Sequence, residues 1–298
     1  MEEPLPTVPA SDPARPPGPT DWSRVEAPGG RPRSGFGVGV IVARTFRTWW
    51  RELPAFALLG LASAVAAAWA TYRMYGAFPE LLIPDPSVEP WEPLGRFYGR
   101  FGGMLFLSFV LWSIQTGAIA HGAARRLRGA PAGLGEMLGV GLQRSFATFG
   151  VTLVTWFALV ATMCTVAVPF LLAAGWAAAW GAVVVDRAGP IRALGRSWAL
   201  TQGHRWKVLG ALVIVLVAYL TVFTALQAVV TGGMVSWPGA AGASSVEGLR
   251  ALALPMALLQ LVGGIVATLL PVASAVIHHG LCLVKEGGDP VHLSQVFE

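Results

Sequence analysis

Charged residues are confined to short stretches that separate five uncharged runs, Leu53–Tyr72, Phe101–Ala124, Ser145–Val185, Val208–Val246 and Ala251–Val284. Each run is long enough to cross a hydrocarbon core, which takes roughly 20 apolar residues at a rise of about 1.5 Å each. The third run exceeds one crossing, and Pro169 in "TVAVPFLL" falls near its middle, where an outgoing helix can end and a returning one begin. It predicts two helices joined by a very short turn. In the fourth run Gly232, Gly233 and Pro238 interrupt the pattern, which leaves about Val208–Val230 as the span. The pattern thus predicts an all-α integral membrane protein with six transmembrane helices.

Between the runs the periodicity changes from uniformly apolar to amphipathic. Val42, Phe46, Trp49 and Leu53 recur at helical spacing on one side, with Arg44, Arg47 and Arg51 on another. Leu134, Leu138, Leu142 and Phe146 form a second apolar stripe, with Glu136, Gln143 and Arg144 off it. A third lies in "GPIRALGRSWALTQGHRW", where Ile191, Leu194 and Trp198 face one way and Arg192 and Arg196 another, with Pro190 after Gly189 suited to a first helical turn. Each stretch carries a basic, hydroxyl, aromatic triplet: Arg44-Thr45-Phe46, Arg144-Ser145-Phe146 and Arg196-Ser197-Trp198. The expectation is three units, each an amphipathic interfacial helix, an elbow and a helical hairpin. Arg44, Arg47, Arg51, Arg144, Arg192, Arg196, Trp198 and Trp206 are the candidate lipid headgroup or interface contacts.

Composition sharpens this reading. Of 298 residues 54% are hydrophobic and only 12% charged, against about 25% charged in soluble proteins. The net charge of +5 is distributed at alternate ends of the spans: Arg44, Arg47 and Arg51; Arg125, Arg126 and Arg128; Arg187 to Lys207; and Lys285. The opposite loop holds Glu80, Asp85, Glu89 and Glu92, although Arg73, Arg96 and Arg100 dilute the contrast. The positive-inside bias places both termini in the cytoplasm, in a cytoplasmic (inner) membrane. Membrane lipids are the expected partners, whereas a nucleic-acid site would need these bases on one soluble face with stacking aromatics. Several tryptophans, among them Trp49, Trp50, Trp112, Trp198, Trp206 and Trp237, fall near span ends, where amphipathic rings favour headgroup depth. Trp156 and Trp176 read as packing residues. The resulting division is a disordered, Pro-rich cytoplasmic arm over 1–35 with no signal-peptide pattern, a six-span membrane domain over 36–280 and a cytoplasmic tail over 281–298.

Candidate chemistry is sparse. Cys164 and Cys282 are too few and too dispersed for a disulfide framework or thiolate metal site. His121, His278 and His279 fall at span ends expected on one side, and could meet Asp186; the preferred reading has them facing headgroups and water. Asp186 is the one acid at the end of an uncharged run, expected to start the third surface helix and pair with Arg187, Arg192 or Arg196. With Gly189 and Pro190 it is assigned a structural role. Gln115, Thr116, Thr155, Thr162, Gln227 and Gln260 lie within spans, where amides and hydroxyls more often join helices. A wet pocket lined by Gln115, Gln227 and Gln260 would instead favour transport.

The run "VVVDRAGPIRALGRSWALTQGHRWKVLG", Val183 to Gly210, and the tail "LCLVKEGGDPVHLSQVFE" resemble the membrane domain of bacterial glycerophosphoryl diester phosphodiesterases. That domain shows an acid and a Gly-Pro after its fourth span, a basic-Ser-aromatic triplet, and a Lys-Glu-Gly ending. In the phosphodiesterases a soluble catalytic barrel follows; here the sequence stops at Glu298, so the resemblance implies a stand-alone membrane domain without catalytic barrel or cofactor. His204-Arg205 lacks the metal-binding acids of the enzyme's motif and reads as interfacial. The expected function is a non-catalytic scaffold or lipid-interacting membrane protein; the alternative is a permease or lipid transporter using a cavity between the spans.

Overall fold

The computed structural model describes residues 36–77, 91–165, 167–235 and 246–287. The arm over 1–35, Glu80, Asp85, Glu89, Trp237, Pro238, and the tail from 288 onward, His292 included, lie outside the described residues. Those that are described are helical, without strand, in the order α1 (Val38–Arg51), α2 (Leu53–Ala77), α3 (Trp91–Leu127), α4 (Leu134–Gln143), α5 (Ser145–Ala161), α6 (Ala167–Trp176), α7 (Ala179–Val185), α8 (Pro190–Thr201), α9 (Arg205–Val235), α10 (Val246–Ala267) and α11 (Leu269–Lys285). Five segments are long and apolar enough to cross a membrane: Leu53–Gly76, Gly95–Leu127, Ala167–Val185, Arg205–Val229 and Val246–Lys285. A sixth results if α4 and α5, which meet at 65°, count as one. The architecture is compatible with a multi-pass membrane protein.

Three boundaries differ from the sequence pattern, each for a local reason. The turn inside the third run falls at Thr162–Thr165, and Pro169 sits in the first turn of α6, where a missing N–H costs nothing. The hydroxyls of Thr162 and Thr165 take up carbonyls of that turn, bonding Ala158 at 2.6 Å and Thr162 at 2.8 Å. Helix α9 continues through Gly232 and Gly233 to Val235, since glycine in a helix costs only about 1 kcal/mol relative to alanine. The last run is two helices, not one. The two together still form one long apolar stretch of 40 residues, Val246–Lys285. The helical assignment is interrupted at Thr268, whose hydroxyl bonds the Ile265 carbonyl at 2.6 Å and accepts the Trp49 indole N–H at 2.7 Å.

Close approach of backbones holds α2 against α10. A Cβ on Gly60 would lie 2.7 Å from the Gly264 carbonyl oxygen, and one on Gly264 would run into Ala64, so the crossing admits hydrogen alone at both positions. One turn before Gly60, Phe56 joins Ile119, Met137, Ile277 and Leu281 in a buried core between α2, α3, α4 and α11. Helix α9 turns Val213, Ile214, Leu216, Val217, Leu220 and Val222 outward, a continuous apolar face.

The short helices bury faces that hydrophobicity alone does not select. Helix α1 buries Ile41, Thr45 and Thr48. Helix α4 buries Met137 and Gly141 and leaves the Leu134, Leu138, Leu142, Phe146 stripe exposed, Phe146 to 82%. Helix α8 buries Ala193, Leu194, Ser197, Leu200 and Thr201, while Ile191 is 71% exposed. Small and hydroxyl side chains share these buried faces with Ile41, Met137, Leu194 and Leu200, while other large apolar side chains, among them Leu138, Leu142 and Ile191, are turned outward.

Candidate functional site

The break between α6 and α7 lies against α8, and the third triplet is what fits there. Ser197 is fully buried; its hydroxyl donates to the Gly175 carbonyl at 2.8 Å and accepts the Ala178 N–H at 3.1 Å. Thr201 adds a bond to the same Gly175 carbonyl at 3.3 Å. The Trp198 indole lies on Gly175, where any side chain would collide with its ring, and the Arg205 guanidinium covers the indole at 3.9 Å. Helix α7 ends about two turns further on, and beyond it Arg187 takes a left-handed conformation (φ 52°) and lets the Ala188 N–H reach back to the Ala182 carbonyl.

That chain reversal delivers Asp186 into a polar cluster. Its Oδ2 accepts from Arg196 Nε at 3.2 Å and from His278 Nε2 at 3.1 Å. The Arg196 guanidinium also pairs with Glu286, and Lys285 Nζ donates to the Ala199 carbonyl at 2.7 Å. Burial pushes the Asp186 carboxyl up, but hydrogen bonds and charge from His278 and Arg196 outweigh it and hold its pKa below the ordinary value. His278 is almost wholly buried, pressed against Gly181, with Cys282 Sγ 3.8 Å from its ring. The arrangement joins α7, α8 and the end of α11.

Two further groups lie on the neighbouring helices. His121 and Arg125 of α3 share the Glu136 carboxylate of α4 at 3.0 and 2.9 Å. Arg126 pairs with Glu52 at 3.1 Å, and beside it opens a cavity of about 270 Å³ lined by Arg44, Arg47, Thr48, Arg51, Arg126, Leu127, His279 and Leu283. Among the described residues no group of three or more His, Cys, Asp or Glu side chains could hold a metal ion.

A larger cavity of about 360 Å³ opens between α2, α3, α9 and α10. Trp112, Phe109, Phe223 and Leu105 make most of its wall apolar, while Ser63, Ser108, Gln115, Tyr219 and Gln260 place polar groups on it. The Ser63 hydroxyl bonds the Gln115 side chain. Of the three glutamines that would mark a transport pocket, Gln115 and Gln260 line this cavity and Gln227 does not.

The sequence-predicted site residues therefore separate. Arg44, Arg47 and Arg51 share one cavity, whereas Arg144 sits at the α4–α5 elbow and Arg192 is exposed on α8. Arg196 is bound to two carboxylates while its side chain stays 37% exposed, and the half-buried Trp198 packs on α6. Trp206 is 85% exposed at the start of α9. Asp186 follows the last turn of α7 and does not start α8, whose N-cap is Gly189, with Pro190 packed near Gly150 of α5. Sequence reasoning missed Glu286, Arg126 and His279 as members of these groups. Glu286 had a signal, since it lies in the Lys-Glu-Gly of the tail; Arg126 and His279 carried none beyond their place at span ends. No family model, curated protein or solved structure matches the chain.

Proposed function

We propose that this is a non-catalytic multi-pass protein of the bacterial cytoplasmic membrane, with both termini in the cytoplasm, acting as a lipid-interacting scaffold akin to a phosphodiesterase membrane domain. The observation that carries it is the gathering of Arg44, Arg47, Arg51 and Arg126 around one cavity of a body whose α9 face is continuously apolar. Each basic residue near an anionic leaflet is worth about 1 kcal/mol. With α6–α7 and α10–α11 each counted as one candidate span, a short helix followed by two longer helical segments occurs three times, beginning at α1, α4 and α8, which supports three units of interfacial helix plus hairpin. The phosphodiesterase resemblance gains from the meeting of its two motif stretches, through Arg196 with Glu286 and Lys285 with Ala199.

Unfolding of the purified protein should require more denaturant in anionic than in neutral bilayers, and equal resistance in both would sink the lipid-interacting role. Glycerophosphodiesters should not be cleaved with or without divalent cations. Turnover that disappears on His204→Ala with the fold intact would overturn the non-catalytic role.

The cavity between α2, α3, α9 and α10 favours a second reading, a permease or lipid transporter. Its polar groups on an apolar wall suit an amphipathic small molecule. Uptake or lipid exchange in vesicles that Gly263→Phe abolishes, without loss of fold, would establish it over scaffolding.

A further inference from the structure

The cavity between α2, α3, α9 and α10 lies well inside the candidate spans Leu53–Gly76, Gly95–Leu127, Arg205–Val229 and Val246–Lys285, yet Ser63, Ser108, Gln115, Tyr219 and Gln260 line it. Polar side chains at that depth ordinarily bond a neighbouring helix or their own backbone. Three of these five do so. Ser108 bonds the Met104 carbonyl at 2.9 Å, and Ser63, 3.0 Å from the Gly60 carbonyl, also bonds the Gln115 side chain across α2 and α3. Tyr219 and Gln260 do not join helices in this way. The Tyr219 ring stacks on Phe223 at 6.0 Å, and among the described residues neither its hydroxyl nor the exposed Gln260 carboxamide has a hydrogen-bond partner. None of the residues lining the cavity is Asp, Glu, Lys, Arg or His. Helix α3 rests on α2, α4, α5, α7 and α11, and α9 on α1, α6, α10 and α11, so these two line the cavity without packing along each other and leave a gap between them.

We propose that this cavity binds one uncharged lipid with a hydroxyl-bearing head, of the diacylglycerol class, its glycerol end seated against Tyr219 and Gln260. A hydroxyl both donates and accepts, as do a phenol and a carboxamide, so such a head satisfies both groups. A phosphate or ammonium head would give up its water with no opposite charge on the wall, which is the costlier exchange. A head with acceptors alone, as in a quinone, would leave the Gln260 carbonyl oxygen unpaired. A volume of about 360 Å³ lies near the lower end of the usual range for ligand pockets, roughly 300–1,000 Å³, and suits a glycerol with its ester groups but not two acyl chains. The chains would leave through the gap between α3 and α9, along the apolar Leu105, Phe109 and Phe223. The inference deepens the transporter reading by naming the ligand class, and rests on it only for treating the cavity as a ligand site, since binding requires no transport.

The test uses the full chain in neutral detergent and reads equilibrium binding of radiolabelled dioleoylglycerol against unlabelled competitors. These are dioleoyl phosphatidate, which adds only the phosphate; squalene, which has no oxygen; and an isoprenoid quinone, whose carbonyls only accept. Dioleoylglycerol should bind saturably at one site, and each competitor should displace it at least about tenfold less well than unlabelled dioleoylglycerol does. A neutral hydrogen bond is worth roughly two- to tenfold in affinity, so Tyr219→Phe with Gln260→Leu should weaken binding at least about fivefold. Thr224→Val, an exposed change on α9 outside the cavity, should leave it unchanged. A thermal melt of each variant separates lost binding from lost fold. Should the double variant melt out, Tyr219→Phe alone, which loses one oxygen and keeps the ring on Phe223, takes its place with an expected loss of at least about twofold. Unsaturable partitioning, or undiminished binding by the variants, would overturn the site. Equal displacement by phosphatidate would overturn its restriction to uncharged heads, and equal displacement by squalene or the quinone its recognition of a hydroxyl. Saturable binding without lipid exchange between vesicles would keep the site and overturn the transporter reading; exchange abolished by Gly263→Phe, without dioleoylglycerol binding, would do the reverse.

Discussion

Replacing Ser197 by alanine removes a single oxygen from a fully buried position, yet it strikes two elements at once. The hydroxyl accepts the Ala178 N–H at 3.1 Å and donates to the Gly175 carbonyl at 2.8 Å, so it seals the break between α6 and α7. The carbonyl keeps a second partner, because Thr201 reaches it at 3.3 Å. The loss therefore falls mainly on the Ala178 N–H. A buried donor stripped of its acceptor costs about 1–3 kcal/mol in water-soluble proteins, and interhelical hydrogen bonds in bilayers average about 0.6 kcal/mol because the unfolded state also finds partners. With a backbone donor at a helix break the expected cost is about 1–2 kcal/mol. Reversible unfolding from mixed micelles by added sodium dodecyl sulfate, followed by circular dichroism, reads it directly. Ser145→Ala, the same triplet position at the half-buried α4–α5 elbow, should stay within about 0.5 kcal/mol. Arg196→Gln should lose stability to the same extent in neutral and anionic lipid, since its partners are Asp186 and Glu286. A Ser197→Ala cost no larger than that of Ser145→Ala, or an Arg196→Gln cost seen only in anionic lipid, would refute the assignment of this triplet to an internal joint.

Gly264→Leu should destabilise by at least about 1–3 kcal/mol, the usual range for overpacking, because its side chain would have to enter the space of Ala64; thermal unfolding in detergent checks it. The Asp186 carboxyl has a folded-state pKa below its ordinary value of 3.8, so on acidification the unfolded chain takes up its proton first. Its contribution should be full above about pH 5 and vanish as pH falls through the folded value, and Asp186→Asn should flatten that acid limb of the stability profile. In a Cys164→Ser background, Ser87→Cys should be labelled from outside intact cells and Ser294→Cys only after permeabilisation; the reverse pattern would invert the topology.

The apolar runs made the spans legible because a bilayer demands length and absence of charge, and both are countable. Asp186 and its pairing with an arginine of the following helix were legible for a related reason: a lone acid at the end of an apolar run needs a cation. The inward faces were not legible. In water large apolar side chains mark the core, but beside lipid Leu142, Phe146 and Ile191 lose nothing by facing outward, and burial goes to Thr45, Gly141 and Ser197, which permit close approach. The α6–α7 break was invisible in "AAGWAAAWGA", which contains no proline or charge, because what stabilises it is a hydroxyl from α8. The interruption at Thr268 likewise has a partner 219 residues away, the Trp49 indole.

The three triplets are alike in composition and unlike in position. Two lie inside their helices, in α1 and α8, whereas Arg144 is the elbow itself between α4 and α5. Thr45 and Ser197 are fully buried, and Ser145 is not. The distinction follows from what each helix packs on. Helices α1 and α8 both clasp α11: Trp49 bonds Thr268, Phe36 lies against Gly280, Arg196 holds Glu286 and Lys285 reaches Ala199. Helix α4 rests on α3 through Met137 and Glu136. A buried hydroxyl is thus needed where a short helix must fit against an interrupted or densely packed helix pair, and dispensable where it lies along a continuous one. The stretch from Gly189 to Trp206 belongs to the first kind: its triplet works inward, Ser197 on the break between α6 and α7 and Arg196 on Asp186 and Glu286.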